Sequence, residues 1–224
     1  MRRTIWEVPR GQWKGEDVFL LAGGPSLAAL DVERLRGRRV IALNDAGLVR
    51  APWADVLFWA DARWFKWNLD ELEQNRSTWR ISRAELIPPA RQQLDDEGRR
   101  IVELLERLEV KFLFHDQRSA LSSNPGRVAG RDVGGAGINL AWLFGPPRRL
   151  YLAGYDFKAG PGGETHWHQR HRLPTQQRRW REVFMPAIER MAPLLKAGGV
   201  EVFNLNPDSA LRCFPFTTLD QVLA

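Results

Sequence analysis

The segment Thr165-His166-Trp167-His168-Gln169-Arg170-His171 holds three of the four histidines in the 224-residue chain. Imidazole titrates near neutral pH, so a loop of this kind could take a proton from an acceptor hydroxyl. His168 is the first choice of base, with His166 and His171 as substitutes, and Asp156 could orient an imidazole or a ribose hydroxyl. Arg170 and Arg172 could neutralise a departing phosphate. In extended backbone His166 and His168 project to the same side, so a zinc site with Asp156 is a second reading. A third is histidines that only structure a loop. The first needs no metal and is carried forward.

Around this loop, short apolar runs end in small or polar residues. Gly23-Gly24-Pro25-Ser26 follows Val18 to Ala22, Asn44-Asp45 follows Val40 to Leu43, Asp61 follows Val56 to Ala60, and Gly154-Tyr155-Asp156-Phe157 follows Leu150 to Ala153. Each run reads as a buried strand. In an open α/β sheet, ligands bind at the carboxyl ends of the strands. The Gly-Gly-Pro-Ser turn is expected to offer backbone amides to phosphate. Asn44, Asp45, Asp61 and Asp156 are expected to hold a ribose or base. The turn is neither a dinucleotide fingerprint nor a Walker A loop, which argues against NAD and P-loop chemistry.

The expected architecture is one α/β domain over residues 1–224, Rossmann-like, with a mostly parallel sheet, helices on both faces and long loop or lid insertions. Strands are expected at Trp79 to Ile81, Lys111 to Phe114 and Val200 to Asn204. A short helix is expected near Leu27, Leu30 and Leu35, a longer one from Arg63 to Asn75, and others from Glu97 to Leu108 and Gly137 to Phe144. A stripe from Trp180 to Leu195 completes the set, with a kink at Pro186. Pro88-Pro89 breaks the pattern after the fourth strand. His115 to Gly135 reads as an unpatterned loop, and Gly154 to Pro174 as a lid whose Gly160-Pro161-Gly162-Gly163 tip is mobile when empty.

One cysteine, Cys213, excludes an internal disulfide and suits a reducing compartment, so the cytoplasm is the expected location. No signal peptide or membrane span is expected. A net charge of +6 favours phosphorylated or polyanionic partners, nucleic acid among them. Most of the ten tryptophans are expected in the core.

Taken in order, Leu21 to Leu27, Asn44, Arg131 to Gly135, Leu150 to Phe157, His166 to His171 and Val202 to Leu211 resemble two related groups. One is the bacterial lipooligosaccharide sialyltransferases; the other is the 6-hydroxymethylpterin diphosphokinase-like group, with its motility accessory factors and phage-encoded members. The resemblance implies a nucleotide site that includes Arg131, Gly134, Gly135 and Tyr155 besides the residues above. It also implies a metal-free histidine base and a nucleotide-activated sugar as donor. The alternative it implies is magnesium-ATP in a diphosphokinase, with Asp61 and Asp156 holding the metal. The phage-encoded members point to DNA modification. Gly134 stands where the sialyltransferases carry a serine. A non-catalytic nucleic-acid-binding protein is the third class.

Overall fold

The computed structural model describes residues 6–83, 95–172 and 175–224, so Pro88-Pro89 lies outside the described residues. Eight strands form one sheet in the order β6-β5-β4-β3-β2-β1-β7-β8, and every neighbouring pair is parallel. The strands are β1 (Asp17–Leu21), β2 (Arg39–Leu43), β3 (Val56–Trp59), β4 (Trp79–Arg83), β5 (Lys111–Asp116), β6 (Arg127–Ala129), β7 (Arg149–Ala153) and β8 (Glu201–Asn204). The sheet grows outward from β1 in one direction through β2 to β6 and in the other through β7 and β8. The chain therefore reverses its direction of growth between β1 and β7, the place where α/β sheets open a crevice.

Alternate residues serve opposite faces, as the period of a strand requires. Val18, Leu20, Ile41 and Leu43 join α4 (Val133–Phe144) and α6 (Met185–Ala197) in one core. Phe19, Leu21, Val40 and Ala42 join the 3₁₀ turns Pro25–Ala29 and Val32–Leu35 and the C-terminal α7 (Leu219–Leu223) in the other. Leu57 and Trp59 extend that second face against α1 (Ala62–Trp67), α2 (Leu69–Gln74) and α3 (Asp96–Arg107). Between α4 and α6 comes the short α5 (Gln177–Arg179), continued by a π turn at Trp180–Phe184.

Several local readings need correction. The helix expected over Arg63 to Asn75 is broken at Asn68, which caps α2 and whose side-chain amide donates to the Trp64 carbonyl at 2.7 Å. The amphipathic helix after the first turn is two 3₁₀ turns. Pro186 is the second residue of α6, inside a helical run continuous from Gln177 to Ala197, with the π turn directly before it. The segment His115 to Gly135 is not one loop: it holds the end of β5, all of β6 and the first turn of α4.

Asn139, fully buried in α4, fixes that segment. Its Oδ1 accepts from the amides of Ala129 at 2.6 Å and Ser122 at 3.3 Å, and its Nδ2 donates to the Ser122 carbonyl at 2.9 Å. Removing the side chain leaves buried backbone groups without partners, each at about 1–3 kcal/mol. Asn139→Ala is accordingly expected to lose at least about 2 kcal/mol in urea denaturation. A loss within error of zero would show that the β6 segment is held by something else.

Candidate functional site

The carboxyl ends of β1, β2, β3, β4 and β7 open into one cleft of about 870 Å³. Gly23, Asn44, Asp61, Arg83 and Asp156 reach it from the five strand ends, and His166, His168 and His171 enter from the long loop after β7. Gly23, Asn44, Asp61, Asp156 and the histidine loop meet as the sequence suggested, while Arg83 at the end of β4 was not foreseen. The sequence did not show which of their polar groups remain open to a ligand.

Asp156 is 3% exposed, and both its oxygens are engaged within the protein. Oδ2 accepts from the Ser26 amide at 2.7 Å; Oδ1 accepts from the Ser26 hydroxyl at 2.5 Å and from Asn206 Nδ2 at 2.8 Å. The Gly24 amide donates to the Gly154 carbonyl at 2.9 Å, the Leu27 amide to the Gly24 carbonyl at 3.1 Å, and Pro25 has none. The Gly24 and Ser26 amides are thus engaged within the protein and tie β1 to β7. A Cβ at Gly24 would stand 2.5 Å from the Gly154 carbonyl and 2.6 Å from Asp156 Oδ2, so glycine is required there by the protein's own backbone.

The other carboxylates are also compensated. Asp61 caps α1 by accepting from the Arg63 amide at 2.8 Å and pairs with the Arg63 guanidinium at 2.7 Å, which holds its carboxyl below the usual range. Asp45, buried, accepts from Trp64 Nε1 at 2.7 Å and faces Arg170 Nε at 3.2 Å. Asp132 was not foreseen as a cleft residue, although an aspartate directly before a helix is a capping signal. It lines the cleft and caps α4 through the amides of Gly134 and Gly135, and burial pushes its carboxyl up. Tyr155 is buried and donates to the Gly134 carbonyl at 2.9 Å. A Cβ at Gly134 would sit 2.9 Å from Asp132 Oδ2 and 3.1 Å from the Tyr155 ring, so the cap and the ring together favour glycine there.

The histidines differ from one another. His168 accepts the Arg170 amide on Nδ1 at 3.1 Å and directs Nε2 toward Asp45 Oδ2 at 3.7 Å, so both its nitrogens face the protein. His166 stacks on His171 with ring centroids 4.2 Å apart, and its Nδ1 lies 3.1 Å from the Thr165 hydroxyl. Its ring edge borders Gly23, where a Cβ would come 3.2 Å from Cδ2. Burial, with the neighbouring histidines, lowers its pKa to about 4. Among the described residues no group of three or more histidine, cysteine, aspartate or glutamate side chains is arranged to hold a metal.

The loop itself is docked. Arg170 reaches Asn68 at 2.9 Å and Glu71 at 2.5 Å as well as Asp45, and the Trp167 amide donates to the Gly23 carbonyl at 3.1 Å. Arg170 is thus the loop's clasp on α1 and α2 and is not directed at a leaving group. The Arg172 guanidinium lies over the Trp67 ring.

Two features point outward. Asn44 adopts a left-handed backbone (φ 51°), and its Oδ1 is buried with no hydrogen-bond partner among the described residues. Arg131, Lys158 and Arg179 line the cleft, and among the described residues none of the three has a carboxylate partner. Arg179 lies over Phe184. Trp64, Trp67 and Trp180 add aromatic wall. No local sequence signal distinguishes Lys158 or Arg179 from other surface cations.

Fold and cleft together define an α/β protein of Rossmann-like topology with a basic, aromatic-lined crevice at its switch point. No family model, curated protein or solved structure matches the chain. Among the described residues no helix is long and apolar enough to cross a membrane.

Two outcomes follow from the clasp and the buried imidazole. Arg170→Ala should speed amide hydrogen exchange across 165–172 while the core strands keep their protection; unchanged exchange in the loop would show that Trp167 alone holds it. The folded state holds His166 near pKa 4, below its unfolded value of about 6.5. Its neutral form therefore contributes stability that is present above pH 6.5 and is lost as pH falls toward 4. His166→Gln should flatten the stability profile between those values in denaturation at stepped pH.

Proposed function

We propose that the chain is a metal-independent, glycosyltransferase-like enzyme that moves a sugar from a nucleotide-activated donor to an acceptor hydroxyl. The observation that carries this reading is that one cleft holds both a buried amide oxygen at Asn44 without a hydrogen-bond partner and cations without carboxylate partners among the described residues. An unpartnered buried acceptor is costly and calls for a ligand donor such as a ribose hydroxyl or a base amine. Unpaired cations call for phosphate. The likeness in motif order to the lipooligosaccharide sialyltransferases supports the same chemistry.

In this reading Asn44 takes the ribose or base edge, and Lys158 and Arg179 take the donor phosphates. His166 replaces His168 as the base. With Nδ1–H donating to the Thr165 hydroxyl, its Nε2 keeps a lone pair at the Gly23 side of the cleft. The acceptor oxygen attacks the anomeric carbon, and the bond from that carbon to the phosphate oxygen breaks. Its electron pair leaves with the nucleotide, and the acceptor proton passes to Nε2. The developing phosphate charge is met by Lys158 and Arg179.

The diphosphokinase alternative has less support, because the carboxylates it assigns to magnesium are engaged by Arg63 and by Ser26 with Asn206. The non-catalytic nucleic-acid-binding reading rests on net charge alone and leaves Asn44 unexplained.

A thermal-shift screen of nucleoside mono- and diphosphates and nucleotide sugars should find one base that stabilises the protein, by about 2.7 kcal/mol at a hundred times its dissociation constant. Asn44→Ala should weaken that ligand about tenfold, the worth of one hydrogen bond. With the donor found, His166→Ala should lower turnover by roughly 10²–10⁴-fold with donor affinity kept, and chelators should have no effect. Full turnover in His166→Ala, or dependence on added magnesium, would overturn the mechanism.

A further inference from the structure

A second pocket, of about 310 Å³, opens at the carboxyl ends of β5 and β6, lined by His115, Arg118, Arg131 and Arg190 among others. It shares one lining residue, Arg131, with the main cleft. Arg118, Arg131 and Arg190 come from three separate places: the turn after β5, the residue after Gly130, and α6. None of the three side chains has a carboxylate partner among the described residues.

The pocket's one carboxylate, Asp116, offsets one of these three charges. Although burial raises its pKa, hydrogen bonds from Ser122, from Ser119 and from the Arg118 amide hold it below the usual range. Its Oδ1 accepts the amides of Arg118 and Ser119, each at 3.1 Å, which also sets the turn that carries Arg118. His115 donates from Nε2 to the Gly130 carbonyl at 2.9 Å, since that oxygen can only accept, and this bond fixes the ring on the pocket wall. Three arginines around one pocket give it a positive lining, and guanidinium groups match phosphate oxygens in bidentate geometry.

We propose that this pocket binds a terminal phosphate group on the acceptor, so that the enzyme glycosylates a phosphomonoester-bearing substrate. Arg131 would then touch the acceptor phosphate on one side and border the donor on the other. The inference rests on the proposed transfer reaction for the word acceptor, but the phosphate site stands on its own geometry.

One double and one single variant separate the sites: Arg118→Gln/Arg190→Gln in the second pocket and Lys158→Gln in the main cleft. Ribose 5-phosphate binding is followed by calorimetry at constant ionic strength, with ribose as the control. The expected result is a loss of at least tenfold in the double variant, little change in Lys158→Gln, and no binding of ribose. Equal affinity in wild type and the double variant, or no binding to wild type, would overturn the proposal. A 5′-phosphorylated octanucleotide that competes where its 5′-hydroxyl form does not would place the phosphate at a nucleic-acid end. Competition by ribose 5-phosphate alone would place it on a small acceptor. Equal competition by both octanucleotides would instead mean backbone phosphodiesters and would overturn the terminal-phosphate assignment. If the phosphate site is confirmed while no nucleotide binds the main cleft, the transferase reading fails and the site remains.

Discussion

The buried carboxylate of Asp156 is the constraint on which the rim of this molecule depends. It sits where β1 and β7 run side by side but their connections leave in different directions, and a carboxylate so enclosed must be fully hydrogen-bonded to be tolerated. Ser26 supplies two donors and Asn206 a third. Because these partners come from the loops after β1 and after β8, one side chain sets the relative position of three strand ends. The histidine loop then hangs from the same knot, through the Trp167 amide and the Gly23 carbonyl.

Much of the sheet was legible because parallel strands buried on both faces read as unbroken apolar runs. Arg149–Ala153 and Val56–Trp59 are of that kind. Arg127–Ala129 was not, being three residues long in a stretch of glycine, serine and asparagine, and its place is set by Asn139, which lies ten or more positions away in sequence. The C-terminal helix did carry a readable signal: Thr218 and Gln221 form a reciprocal capping box. Most tryptophan went where area burial sends it, with Trp13 and Trp59 fully enclosed, yet Trp67 and Trp180 are only partly covered and face the cleft.

The site shows a sharper limit. Strand periodicity tells which residues arrive at the carboxyl edge, because it depends only on chain direction. Whether a residue's polar atoms are then free depends on partners far away in sequence, and spacing does not encode those. Hence Asp156, Asp61 and the Gly24 and Ser26 amides arrived as foreseen but are already engaged, while Lys158 and Arg179 stand out through the carboxylate partners they lack among the described residues.

The charge arrangement also gives the proposed base a reason to be weak in the empty protein. His166 is held neutral by burial and by two neighbouring imidazoles, so before a donor arrives it has little affinity for a proton. A donor phosphate bound in the cleft that His166 also lines would add negative charge near the ring, favouring the imidazolium and raising the basicity of Nε2. Proton affinity and donor occupancy are then linked, each strengthening the other by the same free energy. In the proposed reaction, the group that must accept the acceptor's proton becomes a competent base only when there is a donor to attack.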